Sequence, residues 1–538
     1  MNIVCISSNM AEPLRESGHT VLALHPEPGL HSLQELLATR AFVPDAVFQA
    51  ESLGPRVIFT DLPALPCPKL FWSVDSHLNM FWHCHYGRLF DCVLTPHISL
   101  HAAQPEDRRL PRLARLAKEG RSRPFRRHSR RKHMLAFAGR LSGDRGPRVN
   151  MLRLLASRGL EHRDGLSQAA MLELYDDTRI LPNESLCTEV NFRLMEGASC
   201  GCCLLTPDVG EDQNALLEAG KECLIYRDGL ELLEWVAQLA ARPEWAEAVG
   251  RAAWRRIQAE HLPRHRAAAI LREARSSGPA AQGEQAALHL LLSIVQLTRA
   301  GIFTEDPAIT DARLRAASCP SAFAARVQAA SETGQTELCA RLLQENLLSG
   351  FGAGRLDVDG VCSFAALWTH DLGIAKQFWY RYHQGAGRSK ARKPESPYHL
   401  CLLWAKEYMR RGYPAQPGLP FKQGTCPESA LEALLLAGRF AGEDGEWRRL
   451  LVGLGYVPQA YPQLYADTLS ELGRCAPPDW RTDLRAASAL FRICALPEGE
   501  HMLIRAWNNA VAAGREQAFW SMASKSPAVI RAFETALQ

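Results

Sequence analysis

The amino-acid sequence predicts an α/β protein in which two halves built on parallel β-sheets are followed by an all-α region. Three observations support this prediction. Short runs rich in Val, Ile, Leu and Phe alternate with helical segments over residues 1–102, the alternation restarts at residue 134, and strand patterns disappear after residue 285. Apolar strands separated by helices are typical of parallel sheets that are covered on both faces.

The size and composition are those of a globular chain with several domains. Its 538 residues exceed what one hydrophobic core usually holds, so we expect about three domains. A composition with 47% hydrophobic and 22% charged residues excludes intrinsic disorder and collagen-like repeats. The 16 cysteines contain one Cys-x-x-Cys pair, Cys200 and Cys203, with no second pair nearby. This pattern indicates neither a disulfide framework nor a zinc finger, and we expect a reducing, cytoplasmic environment.

Neither a signal peptide nor a membrane span is predicted. The N-terminal sequence MNIVCISSN has a short apolar run without a preceding basic stretch, which predicts a first strand. The longest later apolar stretch, residues 286–297, contains His289 and Gln296 and is shorter than the roughly 18 residues that a membrane helix needs. We therefore expect no contact with a membrane interior.

Residues 1–132 are predicted to form a first Rossmann-like domain. Its strands are separated by helical segments such as 32–39, the arrangement of a parallel sheet with crossover helices. Residues 103–133 interrupt this alternation with proline and basic residues and predict an interdomain linker. The predicted strands cover residues 2–8, 20–24, 45–50, 56–60, 69–75 and 90–95.

Positive charge is concentrated in the segment 121–132, RSRPFRRHSRRK. It holds seven Lys or Arg and no acidic residue, whereas the whole chain has a net charge of only +4. A nucleic-acid-binding face would be basic over a wider area and would carry aromatic residues among the cations, so we expect no nucleic-acid partner. A solvated linker is the favoured interpretation, and a rim that attracts anions is the alternative.

Residues 133–275 are predicted to form a second Rossmann-like domain. Pro147 suits the first turn of a helix, and Gly159 and Gly201 suit helix exits because glycine tolerates positive φ. We expect the two domains to face each other across a cleft at the carboxyl ends of their strands. The predicted strands cover residues 134–139, 179–183, 202–206 and 222–226, and the predicted helices cover 147–158, 168–176 and 188–200.

Residues 276–538 are predicted to be all-α. Helical patterns follow one another through glycine-containing turns, as in a solenoid, without a fixed period that identifies a known repeat. Such an array offers a surface for a peptide or protein, and we expect this region to recruit a protein. The candidate anchors are the aromatic segment 377–384, QFWYRYHQ, and the basic loop 387–393, GRSKARK, although core packing is the favoured interpretation of the aromatic residues.

The predicted helix at 188–200 carries three charges on one narrow stripe. At about 100° per residue, Glu189, Arg193 and Glu196 lie together on an otherwise mostly apolar helix. Two interpretations fit this pattern. The stripe is either a set of ion pairs on the surface, or a binding site at a helix start that follows a strand. An arginine there neutralises a diphosphate, and a carboxylate one turn further accepts hydrogen bonds from ribose hydroxyls. The pattern therefore favours a nucleotide-sugar site.

The segment 180–236, ILPNESLCTEVNFRLMEGASCGCC and onward, resembles the donor-site segment of GT-B glycosyltransferases of the group-1-like branch related to the spore-coat family CgeB. The resemblance covers about residues 40–270 and is most specific at 183–226. In that branch a strand ends in Asn, the next helix carries Asn-x-Arg-x-x-Glu, and a Cys-Gly turn leads into the following strand. The matching positions in this sequence are Asn183, Asn191, Arg193, Glu196, Cys200 and Gly201.

The resemblance implies a bacterial enzyme that transfers a hexose-type sugar from a nucleoside diphosphate to an acceptor hydroxyl, with no cofactor besides that donor. The acceptor is expected to be a protein or a surface polysaccharide. No Asp-x-Asp motif occurs in either Rossmann-like half, so we expect a metal-independent reaction in which Arg193 and the helix start stabilise the leaving diphosphate. A nucleotide-sugar epimerase and a non-catalytic scaffold that binds a protein through the helical region are the alternatives.

The sequence departs from the larger retaining GT-B families at one position. Those families place two Glu eight positions apart, and Glu196 matches the second, which the resemblance implies to be a catalytic-site residue that binds the donor ribose. Thr188 occupies the first position, and Glu189 follows one residue later. Retention and inversion of the anomeric centre therefore both stay open.

Two further groups of residues are candidates for the site. Asp75 and His77, with His83 and His85 nearby, follow a strand of the first half and are candidates for acceptor binding or acid–base catalysis, because imidazole titrates near neutral pH. Structural roles and a zinc site are the alternatives. The loop after the strand at 134–139 contains glycines whose backbone is a candidate to approach a diphosphate, and a plain turn is the alternative. The residues of this loop are Gly139, Arg140, Gly143 and Gly146.

Overall fold

The computed structural model describes residues 1–54, 56–142, 145–276, 278–385, 387, 391–442, 445–455, 457–475 and 479–536. It divides into two compact units. The first unit comprises Met1–Leu116 and Ala269–Leu450, and the second comprises Ala117–Ala268 and Leu451–Gln538. Each unit contains one main parallel sheet and part of the helices that follow residue 276. This grouping differs from the predicted division into 1–132, 133–275 and 276–538, because the later helices do not collect in one unit.

The first unit is built on parallel strands. Its described strands are β1 (Asn2–Ile6), β2 (Thr20–Leu24), β3 (Gly29–His31), β4 (Ala46–Ala50), β5 (Val57–Phe59), β6 (Lys69–Trp72), β7 (Cys92–Thr95) and β8 (Leu113–Arg115). Among the described residues, β2-β1-β4-β6-β7-β8 form the main sheet in this order, and β3 pairs with β5 in a small second sheet. Val4, Val47 and Phe71 are fully buried, as expected when helices cover both faces of the sheet.

The helices of the first half connect these strands. They are α1 (Ala11–Glu16), α2 (Leu33–Ala38), α3 (Ser76–Tyr86) and α4 (Ile98–Ala102). The Ser32 hydroxyl accepts the Glu35 N–H and thereby caps α2. α3 begins directly after β6, and its position brings a polar helix start to the carboxyl edge of the main sheet.

The second unit is built on a smaller parallel sheet. Its described strands are β9 (His133–Ala138), β10 (Leu160–Arg163), β11 (Thr178–Pro182), β12 (Cys203–Pro207) and β13 (Leu224–Tyr226), in the order β10-β9-β11-β12-β13. The helices among and after them are α5 (Gly146–Ala156), α6 (Gln168–Asp176), α7 (Phe192–Ser199), α8 (Glu211–Asn214), α9 (Gly229–Ala241), α10 (Pro243–Glu260) and α11 (Pro263–Glu273).

All described elements after α11 are helices. Those before residue 450 are α12 (Gly283–Arg299), α13 (Pro307–Ala316), α14 (Pro320–Glu332), α15 (Thr336–Ser349), α16 (Leu356–Trp368), α17 (Leu372–Gly385), α18 (Pro397–Arg411) and α19 (Ala430–Phe440). The remaining helices are α20 (Glu446–Val452), α21 (Val457–Ala460), α22 (Pro462–Cys475), α23 (Trp480–Arg492), α24 (Leu496–Ala512), α25 (Glu516–Ala523) and α26 (Pro527–Ala536).

The later helices extend the core of each unit. In the first unit, Ala286 and Leu297 of α12 join the core formed by β1, β4, β6 and α3. In the second unit, Cys494 packs with residues of β9, α5 and α9, and Arg531 of α26 pairs with Asp228 at 3.0 Å. The helical residues after 450 therefore complete the face of the second sheet that α5 and α9 cover.

The predicted fold class is confirmed, with parallel Rossmann-like sheets followed by a large helical region. Most predicted strands match the structure within two residues at each end, and α6 has the predicted bounds 168–176. The strands β3, β8 and β10 were not predicted. β3 and β8 have only three residues each, and β10, LEHR, is an edge strand with charged residues. The predicted strand 56–60 exists as β5, but it belongs to the small second sheet.

The basic segment 121–132 is not a solvated linker along its whole length. Arg131 is 2% exposed and donates to the carbonyl oxygens of Thr178 and Cys200, at 2.5 and 2.6 Å. Arg123 pairs with Asp176, and Arg126 pairs with Asp177. These partners lie at or just before the starts of β11 and β12, so the segment packs against the amino-terminal edge of the second sheet, and Arg123 and Arg126 are neutralised there by acidic side chains.

The aromatic segment 377–384 belongs to the core of the first unit. Phe378, Trp379 and Tyr382 are at most 3% exposed, which confirms core packing for these residues and excludes them as surface anchors. The neighbouring loop 387–393 includes residues 388–390, which lie outside the described residues. Within the described part of the chain, no helix combines the length and apolar character needed to cross a membrane.

Candidate functional site

The helix start at the carboxyl edge of the second sheet lies later in the chain than predicted. α7 begins at Phe192, not at residue 188. Cys187 and Thr188 have left-handed φ angles of 50° and 61°, which a right-handed helix cannot contain. Asn191 has extended backbone angles and occupies the N-cap position. The predicted stripe is therefore corrected: Arg193 and Glu196 lie on the helix, whereas Glu189 lies in the loop before it.

Arg193 is fixed at this edge by contacts with two neighbouring strands. Its Nη1 donates to Asn183 Oδ1 at 2.9 Å, and its Nη2 donates to the carbonyl oxygen of Ala138 at 3.2 Å. The guanidinium carbon lies 4.1 Å from the centre of the Phe137 ring, within the range of a cation–π contact. Strand ends of β9 and β11 thus hold the arginine in one orientation.

Asn183 and Asn191 connect the strand end to the helix start. Asn183 is fully buried; its Nδ2 donates to Thr206 Oγ1 at 3.1 Å, and its Oδ1 accepts from Asn191 Nδ2 at 2.8 Å. Among the described residues, the Asn191 Oδ1 and the Arg193 Nε are buried atoms without a hydrogen-bond partner. Buried polar atoms are usually satisfied, and these two lie side by side at the helix start.

Gly139 makes room for Arg193. It ends β9 with a φ of 156°, and a Cβ atom there would lie 3.0 Å from Arg193 Nη2 and from the Phe137 ring. Arg140, the next residue, is exposed, and its carbonyl oxygen accepts from Arg148 Nη1 at 3.1 Å. Gly146 is the first residue of α5, and the predicted phosphate-facing residue Gly143 lies outside the described residues.

Glu196 lies one turn after the helix start and is half-buried. Burial raises the pKa of its carboxyl group, and the nearby cations Arg193, Lys118 and Arg121 only partly offset this effect. Lys118 also lies 4.7 Å from the centre of the Phe192 ring, so a second cation borders the same helix start. The arrangement places a half-buried carboxylate among three cations.

An acidic pair in the loop before α7 was not predicted as a pair. Glu184 is 5% exposed and accepts from Arg148 Nε at 2.9 Å, and Arg145 Nη1 lies 3.4 Å from the same carboxylate. Glu189 is also buried and lies 3.7 Å from Arg145 Nη1. The sequence contained one sign of this pair: Glu184 directly follows Asn183 at the end of a predicted strand, where polar residues often form a site.

The carboxyl edge of the first sheet carries a buried ionic network around Glu51. This residue follows β4, is 4% exposed, and accepts the N–H groups of Val74 and Asp75, both at 2.9 Å. Arg56 Nη2 lies 3.5 Å from its carboxylate. Burial acts to raise the pKa of Glu51, but its interactions with His83, Arg56 and the Asp75 N–H hold the pKa below its usual range. The sequence interpretation missed both Glu51 and Arg56.

The four predicted residues of this edge differ in burial and in the neighbours that they contact. Asp75 is half-buried at the N-cap of α3, and His77 is 2% exposed with its ring 5.1 Å from that of His97. His83 is fully buried, its Nδ1 lies 2.8 Å from Ser73 Oγ, and burial lowers its pKa.

His85 lies on another side of α3 and stacks on His289 with a centroid distance of 5.8 Å. Among the described residues, no three His, Cys, Asp or Glu side chains cluster as ligands of a metal ion.

One family model matches part of the chain, the part that contains the second sheet. Residues 121–272 match the family model described as Glycosyl transferase-like, so the segment that carries the second sheet is glycosyltransferase-like. A search of curated proteins finds no match. The assignment to the CgeB-type branch and the roles of the individual site residues stay predictions.

Solved structures with low identity also align with the chain. The GtfA/B complex is 10% identical with a TM-score of 0.32, over 45% of this chain and 59% of that chain. Sucrose-phosphate synthase (tll1590) from Thermosynechococcus elongatus is 10% identical with a TM-score of 0.35, over 51% and 98% of the two chains. Anabaena Alr3699/HepE in complex with UDP-glucose is 12% identical with a TM-score of 0.33, over 51% and 99%.

Proposed function

We propose that this protein transfers a glycosyl group from a nucleoside diphosphate sugar to an acceptor hydroxyl, and that the second unit binds the donor. The fixed guanidinium of Arg193 at the start of α7 carries this proposal. It lies beside Gly139, where the absence of a side chain gives it room, and the Nε atom is buried without a partner among the described residues. A diphosphate oxygen satisfies this donor.

The proposed chemistry follows from where charge develops. Breaking the bond between the sugar and the nucleotide leaves negative charge on the departing diphosphate, and preorganised donors stabilise that charge. Arg193 supplies a full positive charge, and the free N–H groups at the start of α7 supply a partial one. In this proposal these groups provide the positive charge that the leaving group needs, and the reaction requires no metal ion.

The neighbouring groups suit the other parts of a nucleotide. Glu196 lies one turn along α7 from the proposed diphosphate position, and its carboxylate is the acceptor for ribose hydroxyls. Asn191 offers its unsatisfied Oδ1 at the helix start. The acceptor hydroxyl is assigned to the first unit, where Asp75 at the start of α3 is half-buried, while His77 is 2% exposed.

The experiment that tests donor binding compares nucleotides with nucleosides. Arg193→Ala should weaken binding of UDP or GDP by about 2 kcal/mol, roughly 30-fold, because hydrogen bonds to charged groups are worth about 1.5–3 kcal/mol. Uridine or guanosine should bind the variant as well as the wild type. Isothermal titration calorimetry measures both, and Arg153→Ala, which removes an exposed arginine of α5, is the matched control.

Two results would contradict the proposal. Equal losses for nucleotide and nucleoside would show that Arg193 supports the fold and not the diphosphate. Wild-type protein that binds sugar nucleotides but never releases the nucleoside diphosphate, with or without acceptors, would favour the scaffold alternative. A release of free UDP or GDP from the donor, detected by chromatography, supports transfer or hydrolysis.

A further inference from the structure

A cavity of about 400 Å³ lies within the helical part of the first unit. One face of α12 forms a long wall of this cavity, and α14, α16 and the last turn of α3 contribute to the other walls. The volume is within the range of small-ligand pockets. The residues of α12 that line the cavity recur at helical spacing, and they are Leu288, His289, Leu292, Val295, Gln296 and Arg299.

The cavity is separate from the carboxyl edges of both sheets. Its α3 residue, His85, comes nine residues after Ser76, where that helix begins at the edge of the first sheet. This spacing corresponds to about 14 Å along the helix axis. All lining residues belong to the first unit, whereas the proposed donor site lies in the second. A ligand of this cavity is therefore distinct from the sugar nucleotide.

The middle of the cavity is apolar. Leu292 and Val295 of α12 are at most 7% exposed, and they line the cavity together with Ala324 of α14 and Val361 of α16. These side chains have no hydrogen-bonding atoms, so they suit the carbon skeleton of a ligand. Removing apolar ligand surface from water against them is favourable.

Polar groups lie towards the two ends of the α12 wall. His289 and Arg299 are ten residues apart, which is about 15 Å along the helix. The ring of His289 stacks on that of His85, and the Nδ1 atom of each ring is buried without a hydrogen-bond partner in the described part of the chain. Burial lowers the pKa of His85 to about 3 and the pKa of His289 to about 4, so both rings are uncharged at neutral pH.

Arg299 lies at the other end of this wall and is 6% exposed. Its Nε donates to Glu332 Oε1 at 3.1 Å, and its Nη1 donates to Gln296 Oε1 at 3.0 Å and to Glu428 Oε1. Its Nη2 is a buried donor that has no partner among the residues that the structure describes. Gln296 and Glu428 also line the cavity, so the Nη atoms lie on the cavity side of the guanidinium. An acceptor oxygen on a ligand would satisfy Nη2.

The other charged groups that line the cavity have counter-charges. Arg108 lies 3.3 Å from Glu428 and has Asp107 as a further charged neighbour. Arg355 lies 2.7 Å from Asp357. A charged ligand would lose its water in this cavity without meeting an unpaired counter-charge, and that loss is costly. The lining therefore favours an uncharged ligand.

We infer that this cavity binds a small uncharged molecule with an apolar body and an acceptor oxygen, such as that of an amide or an alcohol, which accepts from Arg299 Nη2. The neutral rings of His85 and His289 offer a further hydrogen bond at the other end. This inference does not rest on the proposed function. It also explains why His289 and Gln296 interrupt the longest later apolar stretch of the sequence, since both line the cavity.

The test uses the full-length protein and three indoles that share one apolar body. Indole-3-acetamide is uncharged, indole-3-acetate is an anion, and tryptamine is a cation. A ligand-observed NMR titration should give the amide a Kd of about 1 mM or lower, which is the affinity expected for a ligand of this size. The anion and the cation should bind about tenfold more weakly, because neither meets an unpaired counter-charge.

Two variants locate the bound amide. Ala325→Phe places a ring in the cavity, because Ala325 of α14 lines it, and should abolish binding. Ala329→Phe is the matched control, since Ala329 is a half-buried alanine of the same helix that does not line the cavity. Arg299→Lys keeps a positive charge beside Glu428 but removes Nη2. It should weaken the amide roughly fivefold and leave 3-ethylindole, which has no acceptor oxygen, unchanged.

The outcomes decide each part of the inference. Failure of the amide to bind the wild type in the millimolar range overturns the site, and equal binding of the anion or the cation overturns the choice of an uncharged ligand. An equal loss in Ala329→Phe overturns the location, and full amide affinity in Arg299→Lys overturns the role of Nη2. Should one variant lose its melting transition, the other decides the location alone. Failure of UDP and GDP to bind would overturn the proposed function and leave this site intact.

Discussion

Both sheets carry charged residues at their carboxyl edges, but the contacts of these residues differ between the two edges. At the edge of the first sheet, Glu51 is buried with Arg56 and His83, and its Oε2 accepts the backbone N–H groups of Val74 and Asp75. At the edge of the second sheet, Arg193 is held by neutral oxygens, and its Nε has no partner among the described residues. At the first edge the guanidinium has a carboxylate within 3.5 Å, whereas at the second edge Arg193 makes hydrogen bonds to neutral oxygens and has the Glu196 carboxylate in its neighbourhood.

In the proposed reaction, this difference would serve two tasks. A buried ion pair with backbone partners fixes the loop that contains Val74 and Asp75, which suits a neutral acceptor that needs positioning. An arginine without a carboxylate partner attracts an anion, which suits the diphosphate of a donor. Mutations should therefore affect stability at the first edge and nucleotide binding at the second.

The largest expected effect is on the stability of the first edge. Glu51→Ala leaves the buried Arg56 without its carboxylate, and removing one partner of a buried ion pair costs about 3–5 kcal/mol. The free energy of unfolding from denaturant titration should fall by this amount, while UDP or GDP affinity is unchanged. Glu12→Ala, which removes an exposed partner of Arg15, is the control. A loss no larger than that of the control would show that the network is not structural.

Gly139→Ala should affect both stability and binding at the second edge. An alanine at a φ of 156° is strained by about 1–3 kcal/mol, and its Cβ would displace the guanidinium of Arg193. We expect a lower melting temperature and weaker binding of nucleoside diphosphates.

Gly165→Ala separates these two effects. Gly165 has a φ of 68° but open space around its Cβ position, so its substitution adds backbone strain without touching Arg193. If both variants lose the same nucleotide affinity, the space beside Gly139 has no role in holding Arg193.

Glu196→Gln should reduce the preference for ribose by about 1.5 kcal/mol, because it replaces a charged acceptor by a neutral one. The ratio of UDP to 2′-deoxy-UDP affinity measures this effect, and Glu173→Gln on the exposed face of α6 is the control. An unchanged ratio would assign Glu196 a structural role.

The same substitution should also change the pH dependence of stability. Because burial raises the pKa of Glu196 in the folded state, its ionisation destabilises the fold as the pH rises through that pKa. Glu196→Gln should therefore be more stable than the wild type at neutral pH, and this advantage should disappear as the pH falls. Melting temperatures across a pH series provide the measurement; an advantage that grows in acid would contradict the assignment.

The smallest effect is expected in the basic segment 121–132. Arg126→Gln removes a partly exposed ion pair with Asp177, and such pairs contribute about 0–1 kcal/mol. Nucleotide affinity and its salt dependence should not change, because this pair lies at the amino-terminal edge of the second sheet. A weaker salt dependence of UDP binding in the variant would show that the segment does steer anions.

Local patterns were sufficient to predict most elements. The apolar runs that became β1, β4, β6 and β7 are buried on both faces, so their pattern is visible without knowing their neighbours. α6 was predicted with its observed bounds because the Ser167 hydroxyl accepts the Ala170 N–H and caps the helix start locally. The charge pair Arg193 and Glu196 was also visible, because helical spacing alone places both on one face.

Contacts between distant parts of the chain decided the rest. The start of α7 was placed too early, since the sequence gives no sign that Cys187 and Thr188 adopt left-handed φ angles. In the sequence, Glu51 is a polar residue after a strand like many others. Only the structure shows that α3 and Arg56 surround it.

The sequence by itself determined the two parallel sheets, the helical character of the chain after residue 276 and the charges of the helix that follows β11. Those features depend on residues close together in the chain, whose spacing fixes which side chains share a face. Only the tertiary structure decided that the later helices divide between the two units and that His85 lines a cavity with Arg299. The physical reason is that packing unites residues far apart in sequence, and no local pattern records which apolar surfaces meet.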